Sequence, residues 1–216
     1  MVWLTWLIGV FGGAYLLGSF PTGYLAGRWL KGIDLREHGS KSTGATNALR
    51  VLGKGPGLAV LLVDVLKGAS AVLLVRWLTA ATSLPLPAAD SQGLVWLPVV
   101  AGLGVLLGHS RSVWLGFSGG KSVASGLGVL LALHWPTALT ILAVFALVLA
   151  LFRMVSLGSV SAAIAAPGAA LLYGLPVPLV LFLAAAGIYI IFTHRANIQR
   201  ILNGTEFKLG QSPKAT

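Results

Sequence analysis

Residues 123–152 read VASGLGVLLALHWPTALTILAVFALVLALF, thirty positions without a single Asp, Glu, Lys or Arg. About 20 residues of helix cross a bilayer core, so this run is too apolar for water and too long for one straight span. His134, Trp135 and Pro136 interrupt it near the middle. The stretch is therefore expected to form two short or tilted membrane helices with a turn at that break.

The flanks repeat the pattern. Residues 154–193 are a further apolar stretch, broken around residues 174–178, which gives two more spans. Upstream, residues 94–107 make a short third span and residues 58–78 a second, with Asp64 and Lys67 inside it. Residues 79–93, with Pro85 and Pro87, are expected to loop out between them. The first apolar run, residues 3–24, has no basic segment before it and no cleavage site followed by a polar domain, so it reads as a true span. Gly18-Ser19-Phe20-Pro21-Thr22-Gly23 should kink or break it. The expectation is an all-α integral membrane protein with seven transmembrane helices, some short or broken. Residues 1–208 form a single domain in this reading, and residues 209–216 a short polar tail.

Composition agrees: 56% of the 216 residues are hydrophobic and 9% charged, against about half and about a quarter in soluble domains. The absence of cysteine excludes disulfides, thiolate metal sites and cysteine nucleophiles. The net charge of +10 comes from 15 basic and 5 acidic residues. Thirteen of the basic residues fall on one side of the predicted membrane: Arg28, Lys31, Arg36, Lys41, Arg50, Lys54, Arg111, Lys121, Arg153, Arg195, Arg200, Lys208 and Lys214. Only Arg76 falls on the other, and Lys67 lies within a span. By the positive-inside rule the N-terminus is outside and the C-terminus cytoplasmic. The charge pattern suits membrane flanks and anionic substrates rather than nucleic acid.

The glycine-rich polar loops therefore share the cytoplasmic face. Residues 40–50 carry Ser40, Gly44, Ala45, Thr46, Asn47 and Arg50, a set of hydroxyls, backbone N–H groups and a guanidinium suited to phosphate. A solvated loop whose Ser and Thr cap a helix has the same composition. His109-Ser110-Arg111 and Gly119-Gly120-Lys121-Ser122 form a second cluster. Gly116 and Gly120 enclose three residues where a nucleotide P-loop needs four, so no nucleotide chemistry follows. A Gly-Gly-Lys turn before an apolar helix still favours an anion. His194 and Asn197 stand at i and i+3 after the last span, with Arg200 and Glu206 beyond; Ser156 and Ser159 open the preceding polar turn. Asp64 and Lys67, also at i and i+3, read as a structural ion pair. Together these clusters predict a cytoplasmic site for phosphate-bearing ligands beside the acyl region. A transporter of a phosphate ester is the rival reading, although transport sites usually lie at the bilayer midplane.

Six segments in order, Gly18-Ser19-Phe20-Pro21, Gly44 to Arg50, Asp64-Val65-Leu66-Lys67-Gly68, Gly108-His109, Gly119 to Ala124 and His194 to Ile198, resemble the bacterial acyl-phosphate-dependent glycerol-3-phosphate acyltransferases. The resemblance covers residues 18–208. It implies a seven-helix fold in the bacterial inner membrane, with the site facing the cytoplasm. It further implies acyl transfer from acyl phosphate to the 1-hydroxyl of glycerol 3-phosphate, giving lysophosphatidic acid and inorganic phosphate in phospholipid biosynthesis. By similarity, Ser40, Arg50, Lys121, His194 and Asn197 are assigned to catalysis. Gly44, Ala45, Thr46, Asn47, His109, Gly119, Gly120, Ser156 and Ser159 are assigned to substrate binding. Asp64, Lys67 and Glu206 are assigned to structure. Ser42 stands where the family usually has Asn, and Ser122 where it commonly has Gly.

Acyl phosphate already carries a good leaving group, so orientation and charge stabilisation can supply most of the catalysis. A substrate phosphate, with a second pKa of about 6, competes with His194 for the role of base. The loops lack a carboxylate cluster and the histidines lack ligand spacing, so neither metal nor cofactor is expected.

Overall fold

The structure, a computed structural model, describes residues 2–81 and 91–210. It is helical, and among the described residues the only β-pairing is an isolated bridge between Ser112 and Ser118. The chain divides into two compact units, Met1–Trp135 and Pro136–Thr216, where the sequence suggests one domain. The first contains α1 (Val2–Ser19), α2 (Thr22–Lys31), α3 (Ala45–Leu52), α4 (Lys54–Ala81), α5 (Ser91–Ser110) and the start of α6 (Val123–Phe152). The second contains the rest of α6, α7 (Val155–Leu172), α8 (Val177–Thr193) and α9 (Arg195–Leu202). Short 3-10 turns cover Leu35–Glu37 and Val113–Leu115.

In lipid, large apolar side chains gain little by facing one another, so helices associate through small residues that let backbones approach. That pattern holds α1 to α5: Gly18 faces the Val105 backbone, Gly104 faces Phe11, and Gly108 faces Tyr15, each with no room for a Cβ. Gly68 of α4 and Gly128 of α6 likewise meet Ser125 and Val65. In the second unit Gly187 of α8 packs on Ala163 of α7. Large side chains such as Leu62, Leu66 and Leu74 of α4 or Leu172 and Ile188 point outward. Among the described residues four helical segments, Trp3–Lys31, Lys54–Ala81, Val123–Phe152 and Val155–Leu172, are long and apolar enough to cross a membrane. The pair Val177–Thr193 and Arg195–Leu202, bent by 61°, makes a fifth if taken together, and Val95–Ser110 is a shorter apolar helix.

The first run breaks within the Gly18–Gly23 segment: α1 ends at Ser19, and α2 starts after Pro21 and continues to Lys31. The long run bends at His134, whose backbone is extended (φ −157°, ψ 92°) inside α6. Pro136 has no N–H to give the carbonyl four residues earlier. That acceptor, Ala132 O, instead receives Arg76 Nη1 at 2.6 Å.

Two expectations need correction. The polar, glycine-rich sequence between the first two apolar runs, residues 28–57, is expected to be a cytoplasmic loop, but α3 lies within it and α4 begins at Lys54. Ala48 and Leu52 of α3 bury one face against Leu35 and Val60, with Ile33, Ala45 and Val51 around them. Residues 79–93 do not all loop out: α4 runs through Thr79 to Ala81 and α5 starts at Ser91, while Pro85 and Pro87 lie outside the described residues.

Candidate active site

The first unit gathers two polar segments. Asn47, 1% exposed, organises the first. The two hydrogens of its Nδ2 are shared among Leu35 O, His38 O and Ser42 O, at 3.0, 3.0 and 2.8 Å, and its Oδ1 accepts the Ser40 N–H at 2.8 Å. This side chain is thus committed to shaping the loop. The Ala45 and Thr46 N–H groups open α3 without an intrahelical acceptor, whereas the Asn47 N–H already donates to Gly44 O at 3.1 Å. Arg50 follows Thr46 by four residues on the same helix face. Gly44 caps α3 in an extended conformation, with its N–H on Ser42 Oγ at 3.3 Å.

The second segment is a closed turn. Ser112 Oγ donates to Ser19 O at 2.6 Å, Tyr15 Oη to Arg111 O at 2.7 Å, and the Gly120 N–H to His109 O at 3.1 Å. Lys121 is the half-buried residue that leaves this turn. Ser122 next to it is fully buried and left-handed (φ 63°), a conformation that disfavours side chains. Its hydroxyl donates to Leu106 O at 2.7 Å, which compensates for the glycine common at this position in the resembling family.

Arg36 joins the two segments. Its Nε and Nη2 grip the Asp34 carboxylate, the shortest contact being 2.7 Å. Its Nη1 donates to Leu115 O at 3.2 Å and Ser118 Oγ at 3.1 Å. The hydrogen bond from Arg36 holds the Asp34 carboxyl below the usual carboxylate range, and Asp34 in turn raises Arg36. Neither residue stands out in the sequence as more than loop charge. The available signal was Asp34 before a short helical turn, and its carboxylate does cap that turn by accepting the Arg36 N–H at 2.9 Å.

Beneath these segments Lys67 Nζ lies 2.8 Å from Asp64 Oδ1 and 3.3 Å from Phe20 O, the carbonyl exposed by the α1–α2 break. His109, 7% exposed, has Nδ1 3.6 Å from the same carboxylate oxygen, and its ring lies against Gly120. A cavity of about 10 Å³ bounded by Ser19, Thr22, Thr43, Asp64, Lys67 and His109 has room for about one water molecule. It is too small for either expected substrate.

In the second unit Glu206 is the hub. Its Oε1 accepts Ser156 Oγ at 2.8 Å and Asn197 Nδ2 at 2.7 Å, and its Oε2 accepts Arg200 Nε at 2.7 Å. His194, 3% exposed, stands at the bend between α8 and α9, with Nδ1 2.8 Å from Ile190 O. A carbonyl facing Nδ1 requires the proton there, which makes Nε2 the basic nitrogen of the neutral ring. Ser159 Oγ donates to Val155 O at 2.9 Å. Leu209 exchanges hydrogen bonds with Arg153, whose backbone is left-handed, and so ties down the end of the described chain.

With this geometry in view, the glycerol-3-phosphate acyltransferase family model matches residues 8–204. The chain belongs to that family. A glycerol-3-phosphate acyltransferase of Acaryochloris marina is 59% identical over 208 residues, covering 92% of this chain and 90% of its own. Two crystal structures of PlsY (YgiH), an integral membrane glycerol 3-phosphate acyltransferase, share the fold. Its glycerol 3-phosphate form has a TM-score of 0.83 and 37% identity, and its lysophosphatidic acid form 0.80 and 36%. Each comparison covers 97% of this chain and 96% of the other. The chain is thus an acyltransferase and a multi-pass membrane protein. The six segments quoted from the sequence all fall within the matched region.

Proposed function

We propose that this acyltransferase moves a fatty acyl group from acyl phosphate to the 1-hydroxyl of glycerol 3-phosphate, giving lysophosphatidic acid and inorganic phosphate. The observation that carries the reading is the match, over nearly the whole chain, to structures of an enzyme in its glycerol 3-phosphate and lysophosphatidic acid forms. The glycerol oxygen bonds to the acyl carbon, the bond from that carbon to the phosphate oxygen breaks, and the hydroxyl proton passes to a substrate phosphate. Lys121 and Arg50 neutralise phosphate charge, and the N–H groups of Ala45, Thr46 and Gly119 cradle it; those of Gly44, Asn47 and Gly120, expected from the sequence to take part, are spent on Ser42 Oγ, Gly44 O and His109 O. Ser40, Ser159, His194 and Asn197 position the substrates. Nε2 of His194 is suited to polarise the attacking hydroxyl, given the Nδ1 contact with Ile190 O.

In this reading the chain crosses the bacterial inner membrane seven times, with the N-terminus outside and the site and C-terminus on the cytoplasmic side. The one-sided distribution of thirteen cations supports it, as does the bend at His134 within α6. Residues 1–208 act as one functional domain. The test is phosphate release from acyl phosphate by the purified protein: dependence on added glycerol 3-phosphate supports transfer. Counterflow of glycerol 3-phosphate in liposomes without any chemistry would replace it by transport.

A further inference from the structure

We propose that Asp64 and His109 are positioning residues that set the Gly119–Ser122 turn and so the aim of Lys121. The turn is fastened at both ends to the last two turns of α5: the Gly120 N–H to His109 O at 3.1 Å, and Ser122 Oγ to Leu106 O at 2.7 Å. Lys121 lies between the two fastenings.

His109 acts on Gly120 a second time through its ring. A Cβ at Gly120 would collide with His109 first, the three nearest atoms all being ring atoms, led by Nε2. Gly120 is outside the left-handed region, so glycine is required there by the imidazole beneath it and not by backbone torsion. The ring is in turn set from its other edge, where Nδ1 faces Asp64 Oδ1 at 3.6 Å. Lys67, 2.8 Å from that oxygen and bonded to Phe20 O, fixes the carboxylate against the α1–α2 break. A buried ion pair often adds little stability over apolar residues of the same size. Its consequence here is orientational: α4 determines the ring plane, the ring determines Gly120, and Gly120 determines the start of Lys121.

This inference rests on the reading of Lys121 as a phosphate ligand, and Lys121→Ala tests that reading separately. The positioning claim is tested by a cycle in purified protein with acyl phosphate and glycerol 3-phosphate. Gly120→Ala should lower kcat at least about a hundredfold, and combining it with His109→Ala should cost no more than about threefold beyond the larger single loss, because both changes act on the same turn. Losses that multiply in the double variant would overturn the proposal. His109→Asn, which keeps an N–H toward Asp64, should lie within about tenfold of wild type in kcat. His109→Leu, which fills the space without a donor, should lose at least about a hundredfold at an unchanged melting temperature. Equal losses in both that track stability would assign His109 to packing alone. If Lys121→Ala is inactive while these variants behave alike, the positioning claim fails and the phosphate site stands.

Discussion

Arg36 reaches Ser118 across 82 residues of sequence, Nη1 to Oγ at 3.1 Å, and so locks one polar segment of the first unit onto the other. The contact turns two glycine-rich loops into one surface. Arg36→Met should therefore raise KM for at least one phosphate substrate several-fold while lowering stability by only about 1 kcal/mol, since the guanidinium is about one-third exposed. Initial rates and thermal unfolding in detergent separate the two effects.

Asp34 adds an acid limb to stability. Its carboxyl is held down by the Arg36 hydrogen bond in the folded chain, so the stabilisation is complete above the unfolded carboxylate pKa of about 4 and lost as pH falls through the lower folded value. Asp34→Asn should flatten the pH dependence of the melting temperature below about pH 4 and leave it unchanged at neutral pH apart from a constant offset. An acid limb identical to wild type would rule out this contribution.

Ser122 separates backbone strain from hydrogen bonding. Ser122→Ala keeps the left-handed backbone and loses the bond to Leu106 O, and should cost about 1 kcal/mol. Ser122→Gly loses the same bond but relieves about 1 kcal/mol of strain, so it should be close to neutral. Comparison of the two melting curves settles the order.

Glu206 joins three donors in the buried core of the second unit. Glu206→Ala should destabilise by about 3–5 kcal/mol, because Ser156, Asn197 and Arg200 lose their shared acceptor together. Glu206→Gln retains one carbonyl oxygen for them and should cost visibly less in the same unfolding assay.

If a substrate phosphate takes the proton, His194→Ala should keep measurable turnover and Lys121→Ala should lose nearly all of it. Among the described residues no group of three or more His, Asp or Glu side chains could hold a metal ion. Turnover should survive a chelator, since the proposed steps draw only on Lys121, Arg50, backbone N–H groups and the substrate phosphates; strict dependence on a divalent ion would contradict the proposed chemistry.

The helical membrane class and the positions of the breaks were legible because apolar run length and proline leave strong local signals. The Phe20-Pro21 break and the His134 bend both fall where the sequence interrupts its runs. Helix α3 was hidden inside a polar segment, since its partners Leu35 and Val60 are remote in sequence and its apolar face is only a few residues wide. At the candidate site, Ser, Gly, Lys and His suggested phosphate chemistry in the sequence without showing how each side chain is used. Asn47 looks like a ligand in the sequence and proves to be the hub of its own loop. Arg36 looks like a topological charge and proves to be a brace, because its targets Leu115 and Ser118 lie about 80 residues away.

The most direct test of acyl transfer is to follow lysophosphatidic acid and inorganic phosphate together in one reaction of the purified protein. The account predicts that both appear at a 1:1 ratio, and only when acyl phosphate and glycerol 3-phosphate are both present. Phosphate released at the same rate without glycerol 3-phosphate, or no acylated product when both substrates are present, would contradict it.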